Sequence, residues 1–422
     1  MRTGELAPGH PLPPMRELAA QLGVNANTVA AAYRGLRERG VIETAGRRGT
    51  RVRERPAART PREAIRVEAP AGGTDVSTGN PDAALLPPLR EALAHAADNV
   101  SRRSLFYGTP AVGERLARRA RAGFDEDGVP DGPVALTSGA LDAVERVLRA
   151  HLRPGDTVAV EDPGWGSLLD LVPALGLHVA PVAVDDEGPL PREAARALRE
   201  GARALVVTCR AQNPTGAAVT SARAGELRQV LEGHPHTLLI EDDHGHGIVD
   251  EPLHPLAGAV GRWVLVRSTA KAYGPELRLA VLTGDAETVD LVQGRQLLGP
   301  GWVSHLLQDA VLHLWTTGAV DVRAVARSYG RRRDALVRAL EARGIAARGR
   351  SGMNVWVPVP DETGAVARLL QSGWAAAPGA RFRVDSPPGV RLTVSPLTPE
   401  GVEELASAVA AALGPAEARR YD

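Results

Sequence analysis

One lysine stands in this sequence of 422 residues, at position 271 in the stretch STAKAYG. The chain has 50 lysine and arginine side chains, and the 49 others are all arginines. Arginine is never deprotonated in proteins, whereas lysine can lose its proton and form a Schiff base with an aldehyde. A composition that prefers arginine wherever a solvated charge is enough therefore predicts an amine nucleophile at Lys271. Composition alone leaves open the alternative of a leftover surface lysine.

Other polar residues follow short apolar runs that alternate with helical patterns. The runs are PVALTSG, TVAVEDPGW, ALVVTCRAQNPTG, TLLIEDDHG and WVLVRSTAK. This alternation predicts a mainly parallel sheet covered by helices, in which ligands gather at the carboxyl ends of the strands. We therefore expect the polar residues that end these runs to form one site.

These residues supply four kinds of chemical group. Backbone amides at a helix start and an arginine suit a phosphate, and the other groups are an amide, a carboxylate and an amine. Pyridoxal 5'-phosphate (PLP) requires this set: the amine forms an aldimine, the carboxylate keeps the ring nitrogen protonated, and the anion seat anchors the phosphate. The residues concerned are Ser138, Gly139, Ala140, Asn213, Asp242, Ser268, Lys271 and Arg278.

Residues 78–400 resemble the fold-type I aminotransferases. The resemblance is carried by YGxPxG, TSGA, EDPGW, NPTG, EDD, SxxK, a later arginine and GVRLT, in that order. It implies that Lys271 is the Schiff-base lysine, that Asp242 pairs with the ring nitrogen, and that Asn213 binds the ring hydroxyl. It also implies that Trp165 stacks on the ring. The implied phosphate ligands are Ser138, Gly139, Ala140, Ser268 and Arg278.

Three further positions carry implied roles. Tyr107 matches the tyrosine that reaches the phosphate of a neighbouring subunit, which implies a homodimer. Arg391 matches the arginine that binds the substrate carboxylate, a bidentate task suited to guanidinium. His244 stands where the family usually has a tyrosine, and an imidazole there would titrate nearer neutrality. Trp165 as core filling and Arg391 as a surface strand residue remain alternatives.

Five of the eleven histidines lie within residues 234–254, which raises the question of a metal site. His236 and His244 bracket an apolar run, and an extended strand would hold them about 25 Å apart. One shared site is therefore excluded for this pair, and we expect no metal.

The first 53 residues form a second candidate module. LPPMRELAAQLG predicts a helix between Pro14 and Gly23, and Asn25 is a suitable cap for the amphipathic helix that follows. VIETAGRRGTRV predicts two short strands around an arginine-rich turn. Two helices, a short turn and a ribbon are typical of a winged helix-turn-helix whose second helix reads DNA. A helical hairpin with a solvated basic face is the alternative.

This module resembles the GntR-type winged helix in LPxxRELAxxLGV, NTVxxAYxxLxxxGxI and GxxGT. The resemblance implies a double-stranded DNA operator as partner. Family members begin with another helix, so we expect the first helix of this domain either to be missing or to be encoded upstream of Met1. The residues implied to face DNA are Arg16, Asn27, Thr28, Arg47, Arg48, Gly49 and Thr50.

Charge and composition agree with two modules. Residues 1–66 carry 13 arginines against six glutamates, a net charge of +7, although the whole chain is formally neutral. A basic end favours nucleic-acid contact. The single cysteine and the lack of an apolar signal or membrane segment favour the cytoplasm. We predict a winged helix at 1–53, a linker at 54–74, and an aminotransferase-like domain at 75–422 with a large part at about 125–320.

The predicted fold class is thus an α+β winged helix fused to an α/β fold-type I domain with a mainly parallel sheet, whose small part combines residues 75–124 with 321–422. This arrangement resembles the MocR-like regulators, most closely a branch linked with vitamin B6. The resemblance implies a transcriptional regulator that senses an amine, an amino acid or PLP. The alternatives are a working aminotransferase with a decayed N-terminal module and, less well supported, a scaffold for dimerisation.

Overall fold

A computed structural model describes residues 6–38, 41–44, 49–53, 61–64 and 67–414. The N-terminal module contains helices α1 (Met15–Leu22) and α2 (Ala26–Glu38) and strands β1 (Ile42–Thr44) and β2 (Thr50–Val52). Gly23, with φ of 67°, ends α1 in the left-handed conformation, and the side chain of Asn25 accepts a 2.8 Å hydrogen bond from the Asn27 amide. Both helix boundaries therefore follow the predicted capping residues.

The two helices and the ribbon share a small core. Ala19, Val29, Tyr33 and Ile42 are buried together, and the Tyr33 hydroxyl donates to the carbonyl of Pro13 at 2.8 Å. Strands β1 and β2 pair antiparallel. This arrangement confirms the predicted winged helix-turn-helix, whereas the expectation of a preceding helix concerns sequence before Met1 and stays a prediction.

The centre of the large domain is an eight-stranded sheet. In chain order its strands are β4 (Val134–Thr137), β5 (Thr157–Asp162), β6 (His178–Asp185), β7 (Gly188–Pro189), β8 (Ala202–Thr208), β9 (Leu238–Asp243), β10 (Arg262–Ser268) and β11 (Ala280–Gly284). In space they run β4-β11-β10-β9-β8-β5-β6-β7. Five strands in a row, from β10 to β6, are parallel, while β11 and β7 pair antiparallel with their neighbours. The mainly parallel sheet is confirmed, and all five predicted runs are strands.

Helices cover both faces of this sheet, and the strands alternate between two cores. Leu238 and Ile240 of β9 belong to the core beneath α5, whereas Leu239 between them belongs to the core on the other face. Successive residues at the ends of β9 and β10 therefore point to opposite faces. The helices of this region are α3 (Leu89–Ser101), α4 (Glu114–Glu126), α5 (Ala140–His151), α6 (Gly166–Ala174), α7 (Pro191–Arg199), α8 (Ser221–Glu232), α9 (Ala270–Tyr273), α10 (Ala286–Leu297) and α11 (His305–Thr316).

The C-terminal part forms a smaller layer. Its strands are β12 (Asn354–Pro358), β13 (Trp374–Ala375), β14 (Ala377–Pro378) and β15 (Gly389–Thr393), and its helices are α12 (Val322–Glu341), α13 (Glu362–Gln371) and α14 (Pro399–Leu413). Three of the strands form a sheet in the order β12-β15-β14. The short strand β3 (Thr74–Asp75), which begins at the last residue of the predicted linker, pairs with β13. The predicted domain boundaries stay predictions.

None of the described helices combines the length and the apolar character that a membrane crossing requires.

Candidate functional site

A cavity of about 320 Å³ lies at the carboxyl ends of the central strands, on the face covered by α5. The strands end here in polar residues, as the sequence predicts, and the short helix α9 and the start of α5 complete the walls. The predicted residues that line this cavity are Gly139, Ala140, Trp165, Asn213, Asp242, His244, Ser268, Lys271 and Arg278.

Lys271 is positioned by α9, which begins directly after the end of β10. Its ammonium donates a hydrogen bond to the backbone carbonyl of Gly79. A β-carbon placed on Gly79 would lie 3.6 Å from Lys271 Nζ and 3.5 Å from Arg391 Nη1. The segment around Gly79 therefore lies against both cationic side chains, at distances of ordinary van der Waals contact.

Asp242, near the end of β9, is 3% exposed. Its Oδ2 pairs with His244 Nδ1 at 2.9 Å. Its Oδ1 is buried and has no hydrogen-bond partner within the part of the chain that the structure describes. A buried carboxylate oxygen is costly to leave unpaired, so this atom calls for a donor from a bound group. The protonated ring nitrogen of PLP is such a donor.

Both ring nitrogens of His244 face oxygen atoms that only accept hydrogen bonds. Nδ1 faces the Asp242 carboxylate, and Nε2 lies 2.8 Å from the carbonyl of Ala211. Two acceptors require two N–H donors, so the geometry fits an imidazolium. Burial opposes this charge, but the Asp242 carboxylate outweighs burial and raises the pKa of His244 above its ordinary value, although Lys271 acts against the rise.

The predicted phosphate seat is assembled around Arg278. Its Nη2 donates to the Ser138 carbonyl at 2.8 Å, and a β-carbon on Gly139 would lie only 3.3 Å from the same nitrogen. Gly139 caps α5 with φ of 110°, a conformation that favours glycine. Ser138 adjoins the cavity without lining it, and its amide already donates to Asp142 Oδ2 at 2.9 Å. Its role as an amide donor to phosphate stays a prediction.

Arg391 lies on β15 and is 1% exposed, which excludes the alternative of a surface strand residue. Nη1 donates to Asn213 Oδ1 at 2.9 Å and Nη2 to the Ser77 carbonyl at 2.5 Å. Its guanidinium carbon lies 4.7 Å from the centroid of the Phe382 ring. Asn213 thus connects this arginine to the cavity.

Trp165 precedes α6 and is half-buried. Trp165 lines the cavity and also packs against the core beneath α5. A ring-stacking residue and a core-filling residue are therefore both compatible with its position. Several other lining residues belong to no motif that could have identified them beforehand. Among these are Gly79, Ser167, Ile248, Met353 and Asn354.

Glu161, at the end of β5, lies behind Asp242 and is buried. Its carboxylate accepts hydrogen bonds from the amide and hydroxyl of Thr208 and from Gln212 Nε2, at 2.9, 2.7 and 3.1 Å. Burial nevertheless raises the pKa of Glu161 to about 7. The EDPGW motif contains this residue, but its proximity to Asp242 depends on strand pairing that the motif does not reveal.

Tyr107 does not line the cavity. Its side chain is 94% exposed, and its ring packs edge-on against Trp302 at 5.8 Å between centroids. Three other large apolar side chains are also exposed. Phe106 precedes Tyr107 in the sequence, and Leu297 and Leu298 lie a few residues before Trp302.

The residues predicted to face DNA lie on the N-terminal module. Arg16, Asn27 and Thr28 are exposed on α1 and α2, and Gly49, with φ of 77°, precedes Thr50 at the start of β2. The predicted contacts Arg47 and Arg48 lie outside the described residues. The other members of the set are therefore available on one small domain.

Asp127, Asp243 and His246 bring ligand atoms within 4.8 Å of one another and form a candidate metal cluster. Two arginines already occupy its carboxylates, because Arg210 contacts Asp243 at 2.7 Å and Arg267 contacts Asp243 and Asp127 at 3.0 and 2.5 Å. Despite burial, Arg210 and Arg267 hold the pKa of Asp243 well below its usual range. The chemistry of the cluster is that of an ion-pair network, and the expectation of no metal stays a prediction.

Residues 71–409 match the aminotransferase class I and II family, and residues 1–52 match the bacterial regulatory proteins of the gntR family. The chain belongs to the aminotransferase class I and II family and carries a GntR-type DNA-binding domain, as MocR-type transcriptional regulators do. PLP is the cofactor that the aminotransferase fold and the regulators similar to this chain imply.

The chain is 39% identical to the vitamin B6 salvage pathway transcriptional repressor PtsJ of Salmonella typhimurium, over 97% of this chain and 95% of that protein. It is 30% identical to the pyridoxine biosynthesis transcriptional regulator PdxR of Corynebacterium glutamicum, over 78% and 74% of the two chains. Among solved structures, aspartate aminotransferase of Thermus thermophilus with maleate is 26% identical, with a TM-score of 0.71 over 81% of this chain and 92% of that one.

Proposed function

We propose that this chain is a PLP-dependent transcriptional regulator that senses PLP or an amine in the cavity around Lys271. The observation that carries the proposal is the buried Oδ1 of Asp242, which has no hydrogen-bond partner among the described residues, in a cavity that Lys271 also lines. The same chain has a GntR-type domain. DNA as a partner supports a cytoplasmic location. The free, buried Cys209, which is the single cysteine of the sequence, also suits a reducing compartment.

When bound, PLP supplies an electrophilic carbonyl and an electron-withdrawing ring. In the proposed complex Lys271 would provide the amine that attaches it, and Asp242 Oδ1 would accept a hydrogen bond from the ring nitrogen. Asn213 would bind the ring hydroxyl, and Trp165 would stack on the ring. Gly139, Ala140, Ser268 and Arg278 would hold the phosphate, with Ser138 supporting Arg278.

PLP itself is the effector that we favour. The names of PtsJ and PdxR connect these two relatives with vitamin B6, and PtsJ matches this chain over nearly its full length. An amino acid effector would instead need the Arg391 guanidinium, which is already engaged by Asn213 and the Ser77 carbonyl. An amine without a carboxylate would not need that contact.

We further propose a homodimer. Tyr107 and the apolar side chains Phe106, Leu297 and Leu298 are exposed together, as a subunit interface would require. Two copies would present two winged helices to two operator half-sites. Replacing Leu298 by Glu should shift sedimentation toward the monomer, whereas the exposed Leu22→Glu change on α1 should not. Unchanged sedimentation of both variants would contradict the proposed interface.

The alternative is a working aminotransferase, favoured by the full set of lysine, carboxylate, amide and arginine groups in the cavity. Transamination of common amino acids with 2-oxoglutarate or pyruvate, assayed on the PLP-loaded protein, separates the two. We expect turnover far below ordinary enzyme rates, which are of order 1–10 per second. Turnover in that range with any pair would overturn the regulator proposal.

A further inference from the structure

The predicted linker contains an arginine that contacts both layers of the aminotransferase-like domain. The backbone amide and the Nε of Arg62 donate to the two carboxylate oxygens of Asp170, at 2.6 and 3.2 Å. Its Nη1 donates to the carbonyls of Ala380 and Arg383, at 2.8 and 3.0 Å. Asp170 lies on α6, which packs against the eight-stranded sheet, whereas the two carbonyls lie between β14 and β15 of the smaller layer. One residue therefore joins the linker to both layers.

The segment between β14 and β15 is itself fixed to the EDPGW motif. The buried carboxylate of Asp162 accepts four hydrogen bonds of 2.8 Å from this segment, donated by the amides of Val384, Asp385 and Ser386 and by the hydroxyl of Ser386. The Gly164 amide donates to the carbonyl of Phe382 at 2.7 Å. These bonds hold the segment next to Trp165, which follows Gly164 and lines the cofactor cavity.

The start of α6 is closely packed against the linker. A β-carbon on Gly166, the first residue of this helix, would lie 2.6 Å from the carbonyl oxygen of Arg381 and 3.6 Å from Cβ of Arg62. Gly166 directly follows Trp165, and the next residue, Ser167, also lines the cofactor cavity. Close-packed contacts transmit strain, so a group that presses on Trp165 also acts on Arg62.

The winged helix contacts the far end of the same helix. Arg53 follows β2, and its Nη2 donates to the carbonyl of Gly176 at 2.6 Å. The Arg53 amide donates to the carbonyl of Val41 at 3.0 Å, which fixes Arg53 to the winged helix. Gly176 lies two residues beyond the end of α6, a helix of nine residues that spans about 13 Å. Helix α6 thus contacts the cofactor cavity at one end and the DNA-binding domain at the other, with Arg62 between them.

We propose that α6 couples the occupancy of the cofactor cavity to the winged helix, with Arg62 and Arg53 as the positioning residues on which this coupling depends. The inference rests on the proposed function, in which PLP fills the cavity. PLP against Trp165 orders the start of α6, and the hydrogen bonds of Arg62 and Arg53 extend this order to the linker and to the β1–β2 ribbon. Arginine suits position 62 because one guanidinium with several fixed N–H donors serves a carboxylate and two carbonyls at once.

Hydrogen–deuterium exchange of the full-length protein, measured by mass spectrometry with and without PLP, tests the coupling. Peptides that cover β1 and β2 should exchange more slowly with PLP bound, because the order in the cavity reaches the ribbon through α6. Arg62→Gln and Arg53→Gln should each lose this effect, while peptides that cover the start of α6 still respond to PLP. The matched control Arg153→Gln changes an exposed arginine in the turn that contacts Gly176 and should keep the full effect.

Asp170→Asn tests the same contact from the side of α6. It removes the charge that Arg62 faces and leaves the linker sequence unchanged, so it should also lose the effect of PLP on the ribbon. The double variant Arg62→Gln/Asp170→Asn should lose no more than either single variant, because both changes remove one interaction. The long-wavelength absorption of bound PLP should stay at its wild-type value in all of these proteins, which shows that each variant is folded and loaded.

Three results would overturn the coupling through α6. They are unchanged exchange of the ribbon in wild-type protein that binds PLP, a full PLP effect in Arg62→Gln and Arg53→Gln, and an equal loss in Arg153→Gln. Operator affinity, measured on the same proteins, separates this inference from the proposed function. A ribbon that responds to PLP through Arg62, together with an operator affinity that PLP does not change, would contradict the proposed function and support the coupling.

Discussion

His244 and Asp242 are joined by a 2.9 Å contact between Nδ1 and Oδ2, which leaves Oδ1 of the same carboxylate buried beside the cofactor cavity. One carboxylate therefore faces two cationic partners, the imidazolium of His244 and the ring nitrogen that we place at Oδ1. A charge shared between two cations stabilises each of them less than it would stabilise one alone. The ring would then be a weaker electron acceptor, which agrees with a sensor that turns over little.

We predict that His244 titrates above its ordinary value of 6.5 in the folded protein. Its imidazolium therefore stabilises the fold fully below the unfolded pKa, and this stabilisation is lost as the pH rises through the folded value. Nitrogen-15 NMR of the imidazole measures the pKa directly. The free energy of unfolding should fall from pH 6.5 upward more steeply in wild type than in His244→Gln, with the exposed His236→Gln as control. A His244 that titrates below 6.5 would contradict the ion pair.

Asp242→Asn should weaken PLP binding and destabilise the protein without PLP. Loss of the carboxylate leaves His244 buried without its anion, and breaking such a pair costs about 3 kcal/mol. Chemical unfolding and PLP titration measure the two effects. The exposed Asp290→Asn on α10 is the matched control and should change neither. Wild-type PLP affinity in Asp242→Asn would contradict the proposed hydrogen bond between the PLP ring nitrogen and Asp242 Oδ1.

Lys271→Ala and Lys271→Arg should both abolish the long-wavelength absorption of bound PLP, because neither side chain provides an amine that can lose its proton. Borohydride reduction of the wild-type protein followed by peptide mass spectrometry should modify the Lys271 peptide alone among side chains. Adding a lysine elsewhere, as Arg118→Lys in the Lys271→Ala background, should not restore the absorption. Long-wavelength PLP absorption in the Lys271→Ala protein would contradict the assignment of Lys271 as the residue that attaches PLP.

The wing arginines should dominate the salt dependence of DNA binding. Each arginine that contacts a phosphate contributes about 0.9 to the slope of log affinity against log salt concentration. Arg47→Ala and Arg48→Ala should each flatten the slope by that amount, and Arg118→Ala in the large domain should not. Equal slopes for all four proteins would show that the wing does not touch phosphate.

The sequence predicted the cofactor cavity well because each apolar run ends in its own polar residue, and parallel strands bring those ends together. It did not predict contacts between distant segments. Lys271 and Gly79 are 192 residues apart, and no local sequence pattern predicts the hydrogen bond between the lysine and the glycine carbonyl. The exposure of Arg391 was equally open, because a short strand in the pattern GVRLT fits either a surface or a core. Only the packing of β15 between β12 and β14 decides it.

The ion-pair network around Asp243 shows the same limit more clearly. Its partners Arg210 and Arg267, and Asp127 beyond them, come from separate segments of the chain and share no motif. The alternation of β9 predicts that Asp243 faces away from Asp242, but not which side chains it meets there. Local chemistry could thus be anticipated where one strand end carries it, and not where several distant segments must meet.

In the proposed function, PLP in the Lys271 cavity controls DNA binding. The most direct measurement is fluorescence anisotropy with an operator selected from genomic DNA by the full-length protein, titrated with and without PLP. We predict that PLP changes the operator affinity of the wild-type protein at least about tenfold, a coupling of 1.4 kcal/mol. We predict no change for Lys271→Ala and an intact response for Arg391→Ala. Equal operator affinity with and without PLP, or an undiminished response to PLP in Lys271→Ala, would show that PLP bound at Lys271 does not control DNA binding.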